Sequence, residues 1–200
     1  MPGRRKSRDG AAERKSGPNE PEEVRLIASI AAGNRRAFDT LERLYCSRLA
    51  RFIDRITHSP ALIEEIVNDT MLVVWRRGAT FDHSCKVSTW IFSIGYRKAL
   101  KALKSRDEPV ESDPDLYPGD RLHQPEAEFG LLELHQRISA ALDAIPMEQR
   151  SVVNLTYYHG MGYEEIAAIM DCPVNTVKTR MFHARRRLRI LLADQAEPTS

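Results

Sequence analysis

The chain has 200 residues, with 30 Lys and Arg against 28 Asp and Glu, and its formal net charge at pH 7 is +2. This length allows one large domain or two small ones. Its uncharged apolar runs fall far short of the ~20 residues that a membrane-spanning helix needs, which excludes membrane insertion. The charged N-terminus is not a secretory signal, and three widely spaced cysteines are typical of a cytoplasmic protein without a disulfide framework.

The charges are distributed unevenly, although their sum is close to zero. Residues 76–104 hold seven basic side chains and one acidic one, a net charge of +6, and residues 173–193 hold six basic side chains and no acidic one, again +6. Between them, residues 105–133 carry nine acids and two arginines, a net charge of −7, together with four prolines. This composition predicts a disordered linker. One basic cluster can be an ordinary solvated helix face, but two on either side of a linker favour a polyanionic partner.

The hydrophobic pattern predicts helices throughout. In the N-terminal half, apolar residues at steps of three and four predict amphipathic helices over residues 38–56, 62–77 and 87–104. In the C-terminal half, the same pattern predicts helices over residues 125–145, 147–159, 163–170 and 173–192.

No stretch shows sustained two-residue alternation, so the predicted fold is all-α, with two small helical domains joined by an acidic flexible linker. The predicted segments are a disordered basic tail at 1–21, a first domain at 22–104, the linker at 105–124, a second domain at 125–193 and a tail at 194–200.

The last two predicted helices have the pattern of a helix-turn-helix. Val177, Met181 and Leu188 lie on the apolar seam of the second helix, and its other face is polar and basic. In such motifs the second helix enters the major groove, with early residues toward base edges and later ones toward phosphates. The side chains predicted to contact duplex DNA are Asn175, Thr176, Lys178, Thr179, Arg180, His183, Arg186 and Arg187.

The N-terminal basic segment contains aromatic residues among its cations. Aromatic faces stack on unpaired bases while neighbouring cations hold the backbone, which is typical of single-strand binding. Trp75 and Trp90 lie on apolar stripes and are better interpreted as core. Phe92 and Tyr96 are four residues apart beside basic residues, so we predict that they face nucleic acid.

Two blocks of sequence carry a resemblance to a known family. LIEEIVNDTMLVVWRRGATF followed by STWIFSIGYRKAL resembles the second conserved region of extracytoplasmic-function (ECF) sigma factors of bacterial RNA polymerase. GYEEIAAIMDCPVNTVKTRMFHARRRLR resembles their fourth region. The resemblance covers residues 22–104 and 125–192. It is specific because both blocks occur in this order, whereas a helix-turn-helix alone fits many regulators.

The resemblance implies roles for particular residues. The helix-turn-helix set given above would read the −35 element as duplex. The surface that docks on the polymerase clamp would consist of Glu64, Glu65, Asn68, Asp69, Leu72 and Trp75. The surface that melts the −10 element and captures a flipped base would consist of Phe81, Lys86, Ser88, Thr89, Phe92, Tyr96, Arg97, Lys98 and Lys101.

The function implied is that of an alternative sigma factor, which is a specificity subunit and not an enzyme, and which needs no cofactor or metal. Its implied partners are core RNA polymerase, promoter DNA and an anti-sigma factor. Two alternatives remain: a stand-alone helix-turn-helix regulator, which would not need the 62–104 block, and a protein-interaction adaptor that uses its basic faces. Thr70, on the clamp-facing helix, is in addition a candidate phosphorylation site.

Overall fold

A computed structural model of the chain describes the backbone of residues 20–107 and 129–194. Regular secondary structure in these two ranges is helical throughout, which confirms the predicted all-α class. The predicted tails, the linker core and the proposed helix start at Pro125 lie outside the described residues. Within the described ranges, no helix combines the length and apolarity that crossing a membrane requires.

Four helices form the N-terminal unit. They are α1 (Glu20–Ala31), α2 (Arg35–Thr57), α3 (Pro60–Arg77) and α4 (Val87–Asp107), with one turn of 3₁₀ helix at Gly78–Thr80 between the last two. Asn34 begins α2 because its side chain accepts a hydrogen bond from the backbone N–H of Ala37 at 3.2 Å. Pro60 suits the first position of α3, where an N–H has no helical partner.

The core of the N-terminal unit is built on α2. Leu41, Tyr45, Leu49 and Phe52 have no exposed surface, in agreement with the predicted apolar stripe. A Cβ atom added at Gly95 would lie only 2.8 Å from Cδ1 of Leu49, so glycine allows α4 to cross α2 at close range.

Four further helices form the C-terminal unit. They are α5 (Phe129–Asp143), α6 (Met147–Tyr157), α7 (Tyr163–Met170) and α8 (Val174–Asp194). Val177 and Met181 of the predicted seam are buried together with Ala184, and Leu188 is half-buried. Asp171 ends α7 in the left-handed conformation, with φ of 50°, and so starts the turn into α8.

The two units pack against each other and share one buried core. The interface joins α4 to α7 and α2 to α6. Residues 91–96 of α4 are all buried, so this segment of the helix is enclosed by neighbours from both units, whereas Arg97 and Lys101 further along are exposed. The position of α4 therefore decides which of the predicted site residues are accessible.

Candidate nucleic-acid interface

The predicted duplex-binding set lies together on the outward face of α8. Six of its eight members are exposed, and Thr176 and Arg180 are half-buried. Five of the set line a shallow groove of about 290 Å³ with a residue of α6; the lining consists of Gln149, Asn175, Thr176, Thr179, Arg180 and His183. Asn and Arg are suited to base edges, and a groove that carries both next to exposed cations is suited to a duplex.

Local hydrogen bonds orient this face. Nη1 of Arg180 donates to Sγ of Cys172 at 3.5 Å, which directs the guanidinium toward the turn between α7 and α8. The hydroxyl of Thr179 donates to the backbone carbonyl of Asn175 at 2.9 Å. Contacts within α8 and with the preceding turn therefore position two of the side chains that line the groove.

Two residues of this face were missed by sequence reasoning. Gln149 belongs to α6 and reaches the groove only through the tertiary fold. Phe182 lies on the outward side of α8 and is 64% exposed. An aromatic side chain on a recognition helix can contact the methyl group of thymine. The position of Phe182 opposite the apolar seam could have predicted its exposure. It was left out of the predicted DNA-binding residues because its side chain is apolar.

A second basic surface lies between α3 and α4. It is a groove of about 470 Å³ with five cationic and two apolar side chains: Val73, Arg76, Arg77, Ile94, Arg97, Lys98 and Lys101. Nζ of Lys98 also pairs with Oδ2 of Asp69 at 2.7 Å. Three members of the predicted −10 set thus lie together in a groove whose charge is suited to phosphates.

The aromatic part of the predicted −10 set has a different environment. Phe92 has no exposed surface and Tyr96 is 4% exposed, so the expectation that their rings face nucleic acid does not hold in this arrangement. The ring centroid of Phe92 lies 5.3 Å from that of Phe52 and 4.7 Å from that of His159. Burial raises the pKa of Tyr96 to about 12.

The remaining members of the −10 set divide in the same way. Phe81 and Thr89 are buried, Ser88 is half-buried, and Lys86 is exposed. Phe81 packs against Trp90, with ring centroids 5.4 Å apart. Thr89 is buried because α4 has the N-terminal core on one side and the C-terminal unit on the other, which a helical period cannot reveal.

The predicted clamp-binding surface on α3 is open. Glu64, Glu65, Asn68 and Asp69 are exposed. Leu72 is 43% exposed among these polar residues, as an apolar anchor for a partner would be. Its position beside carboxylates is suited to a basic protein surface with an apolar pocket.

Two other members of α3 point inward. Trp75 is half-buried, and its ring packs edge-on against that of Phe38, with centroids 5.3 Å apart. Thr70 has no exposed surface, and its hydroxyl donates to the carbonyl of Ile66 at 2.6 Å. The candidate phosphorylation site at Thr70 is therefore wrong for this fold, since its hydroxyl is inaccessible and already bonded within the helix.

Two family models match the chain, and together they cover more than half of it. Residues 41–108 match Sigma-70 region 2, and residues 135–188 match Sigma-70, region 4. The RNA polymerase sigma-H factor of Pseudomonas aeruginosa is 25% identical over 84% of this chain and 92% of its own length. The ECF RNA polymerase sigma-E factor of Escherichia coli K12 is 28% identical over 82% of this chain and 90% of its own length.

Two solved structures are similar to this chain, and one of them is that of a sigma factor. CnrH, in complex with the cytosolic domain of CnrY, matches with a TM-score of 0.64 and 28% identity over 88% of this chain and 99% of that one. The sigma factor RpoE of Bartonella quintana, in complex with the anti-sigma factor NepR, matches with a TM-score of 0.64 and 27% identity over 78% of this chain and 96% of that one. Neither unit alone makes up 78% of the chain, so each of these matches includes helices of both units.

Proposed function

Since this chain belongs to the extracytoplasmic-function group of sigma-70 factors, we propose that it directs core RNA polymerase to promoters through the three surfaces described above. It is an alternative sigma factor, and the pair of family regions in their proper order carries this conclusion. In this proposal, residues 22–104 bind the clamp and the −10 element, and residues 125–193 bind the −35 element.

The exposed polar face of α8 supports duplex recognition of the −35 element. Asn175 and Arg180 lie at the N-terminal end of the helix, where a helix-turn-helix contacts base edges. Arg186 and Arg187 follow one to two turns later and are exposed, where they would contact phosphates.

The α3–α4 groove supports a path for the melted −10 strand. Arg97, Lys98 and Lys101 would hold phosphates there, and stacking on Phe92 or Tyr96 would stabilise an extruded base. These rings become available only when the C-terminal unit is displaced, since both are buried in the present arrangement.

The proposed setting follows from this activity. The protein makes and breaks no bond, so it acts as a subunit and not as an enzyme, and it works where the polymerase does, in the cytoplasm. An anti-sigma factor is a proposed regulator, because a structurally similar sigma factor was solved with one bound.

Transcription in vitro with purified core polymerase tests the proposal. We expect promoter-specific transcripts from a fragmented genomic template only when this protein is added to core. The absence of any specific transcript across the genome would contradict the sigma assignment.

A charge reversal separates a sigma factor from a stand-alone regulator. Glu65→Arg should weaken co-purification with core, because it places a cation on the clamp-facing side of α3. The matched control is Asp39→Arg, which reverses an exposed acid on α2. If both variants keep core binding and duplex binding unchanged, the clamp assignment is wrong.

A further inference from the structure

The surface of α4 that we assign to base capture is covered by the chain's own C-terminal unit. We propose that this contact is an autoinhibitory closure, which must open before the −10 strand can be captured. The inference rests on the proposed function for the identity of the ligand, but the closure itself can be measured without transcription.

Glu165 of α7 forms the first polar tie of the closure. Its Oε2 accepts a hydrogen bond from the backbone N–H of Gly162 at 2.9 Å, which fixes the side chain at the start of α7. Its Oε1 lies 3.3 Å from Nζ of Lys86 and 3.3 Å from the hydroxyl of Thr89. Both partners belong to the proposed −10 set, so the carboxylate occupies a position that a DNA phosphate would take.

Asp143, at the end of α5, forms the second tie. Its Oδ1 lies 3.6 Å from Nη1 of Arg55 and 3.7 Å from Nε2 of His58, both from the N-terminal unit. Nη1 of Arg55 also donates to the hydroxyl of Ser139 at 2.8 Å. The two ties involve different helices of each unit, so they hold the interface at two separate places.

Apolar contacts fill the space that the ties enclose. The imidazole of His159 packs against the rings of Phe52 and Phe92, with centroids 6.0 Å and 4.7 Å away. Burial, together with Arg48 and Arg51, lowers the pKa of His159 to about 4. The neutral ring is therefore part of the closed interface.

The closure is selective in what it covers. The clamp-facing carboxylates of α3, the α3–α4 groove and the outward face of α8 all stay accessible. The closed protein can therefore dock on polymerase and on duplex DNA, while the aromatic residues, Thr89 and Lys86 of the −10 surface are withheld. The protein would therefore dock on polymerase first and capture a base of the −10 element only after the closure opens.

The native cysteines offer a direct readout. Burial, Asp82 and Glu165 raise the pKa of Cys85, and burial together with Glu148 and Cys172 raises the pKa of Tyr96, so both thiols lie near the α4–α7 contact. Cys46 lies on α2 beside Glu42 and is an internal control. All three are half-buried free thiols.

The test compares maleimide labelling of each cysteine, read by mass spectrometry, in two double variants of the full chain. Arg55→Gln with Glu165→Gln removes charge from both ties and leaves an amide oxygen that can still accept from Gly162. Arg43→Gln with Glu164→Gln changes the same residue types at exposed positions on the same two helices. We expect roughly 3- to 10-fold faster labelling of Cys172 in the first variant only, since two modest ion pairs are lost, with Cys46 unchanged. Cys85 is left out of this comparison, because loss of the Glu165 charge lowers the pKa of its thiol and speeds labelling without any opening.

Binding of an oligo-dT of about 20 nucleotides should tighten in the first variant by a similar factor. Equal labelling of Cys172 in both variants, or a parallel increase at Cys46, would overturn the closure. If labelling is unchanged but promoter-specific transcription occurs, the sigma function stands without autoinhibition. If Cys172 responds but no promoter is ever transcribed, the closure stands and its proposed ligand is wrong.

Discussion

The two helices proposed to meet DNA, α4 and α8, present their contact residues in opposite ways. On α8 the polar set faces outward, and only Thr176 and Arg180 are half-buried. On α4 the set is divided: the cations Arg97 and Lys101 are exposed, whereas the aromatic residues are buried under the other unit.

The difference follows from what each nucleic-acid form requires. A duplex presents hydrogen-bonding edges and phosphates, so its reader can be polar and remain stable in water. An unpaired base is held by stacking, so its reader must keep apolar rings. Exposed rings are costly in water, and the chain buries them against its own C-terminal unit.

The largest expected effect is on the free energy of unfolding, and it is tested by replacing one aromatic residue of each helix. Phe92→Ala should lower the free energy of unfolding by about 3–5 kcal/mol, because a buried ring is lost from the core. Phe182→Ala should change it by less than about 0.5 kcal/mol, because that ring is 64% exposed. Urea unfolding followed by circular dichroism measures both, and equal effects would remove the distinction between the two helices.

The face of α8 could be predicted from the sequence because one helical period accounts for it. Val177, Met181 and Ala184 form a single seam, so the opposite side must be solvent-facing. The helix α1 was missed, although Ile27 and Ile30 are buried, since the stripe is short and lies among charges.

The surroundings of α4 could not be predicted from periodicity. Residues 91–96 form an uncharged run that indicates burial on all sides, but no local pattern states which neighbour covers which side. The contacts of Glu165 and Asp143 with the N-terminal unit join residues 76 or more positions apart in sequence, beyond any helical repeat.

A second prediction concerns base recognition by α8. Arg180→Ala should weaken duplex promoter binding about 10- to 100-fold, if its guanidinium contacts a base edge. Arg43→Ala, at an exposed position on α2, is the control. Fluorescence anisotropy with −35 duplexes from transcribed promoters measures the ratio, and equal affinities would show that recognition lies elsewhere on the helix.

A third prediction uses pH to open the covered helix. Because the pKa of His159 is lowered to about 4 in the closed form and returns toward its ordinary 6.5 when exposed, the closed form is fully stabilised above pH 6.5. Its stability falls as pH drops through 6.5 toward 4. After allowing for partial solvent exposure we expect a loss of about 1 kcal/mol by pH 5.

The pH series is measured as labelling of Cys172 relative to Cys46, which cancels the pH dependence of thiol chemistry. His58→Gln is used as the background, because Nε2 of His58 lies 3.7 Å from Oδ1 of Asp143 and therefore belongs to the second tie. Within that background, His159→Gln should flatten the response. A response that survives in His159→Gln would assign the pH dependence to another group.

The smallest expected effect concerns the part of α4 that stays open in the closed form. Lys101 lines the α3–α4 groove, while Lys104, one turn later, is exposed outside it. For single strands, each phosphate contact adds about 0.7 to the magnitude of the slope of log affinity against log salt concentration. Lys101→Ala should therefore lower the magnitude of that slope by about 0.7 for oligo-dT. The control Lys104→Ala should leave the slope unchanged. Since this groove is accessible without opening, the same loss is expected in the closed protein and in the Arg55→Gln, Glu165→Gln variant. Equal slopes for both lysine variants would mean that the strand does not follow the groove, and the division of α4 into an open cationic side and a covered aromatic side would have no functional consequence.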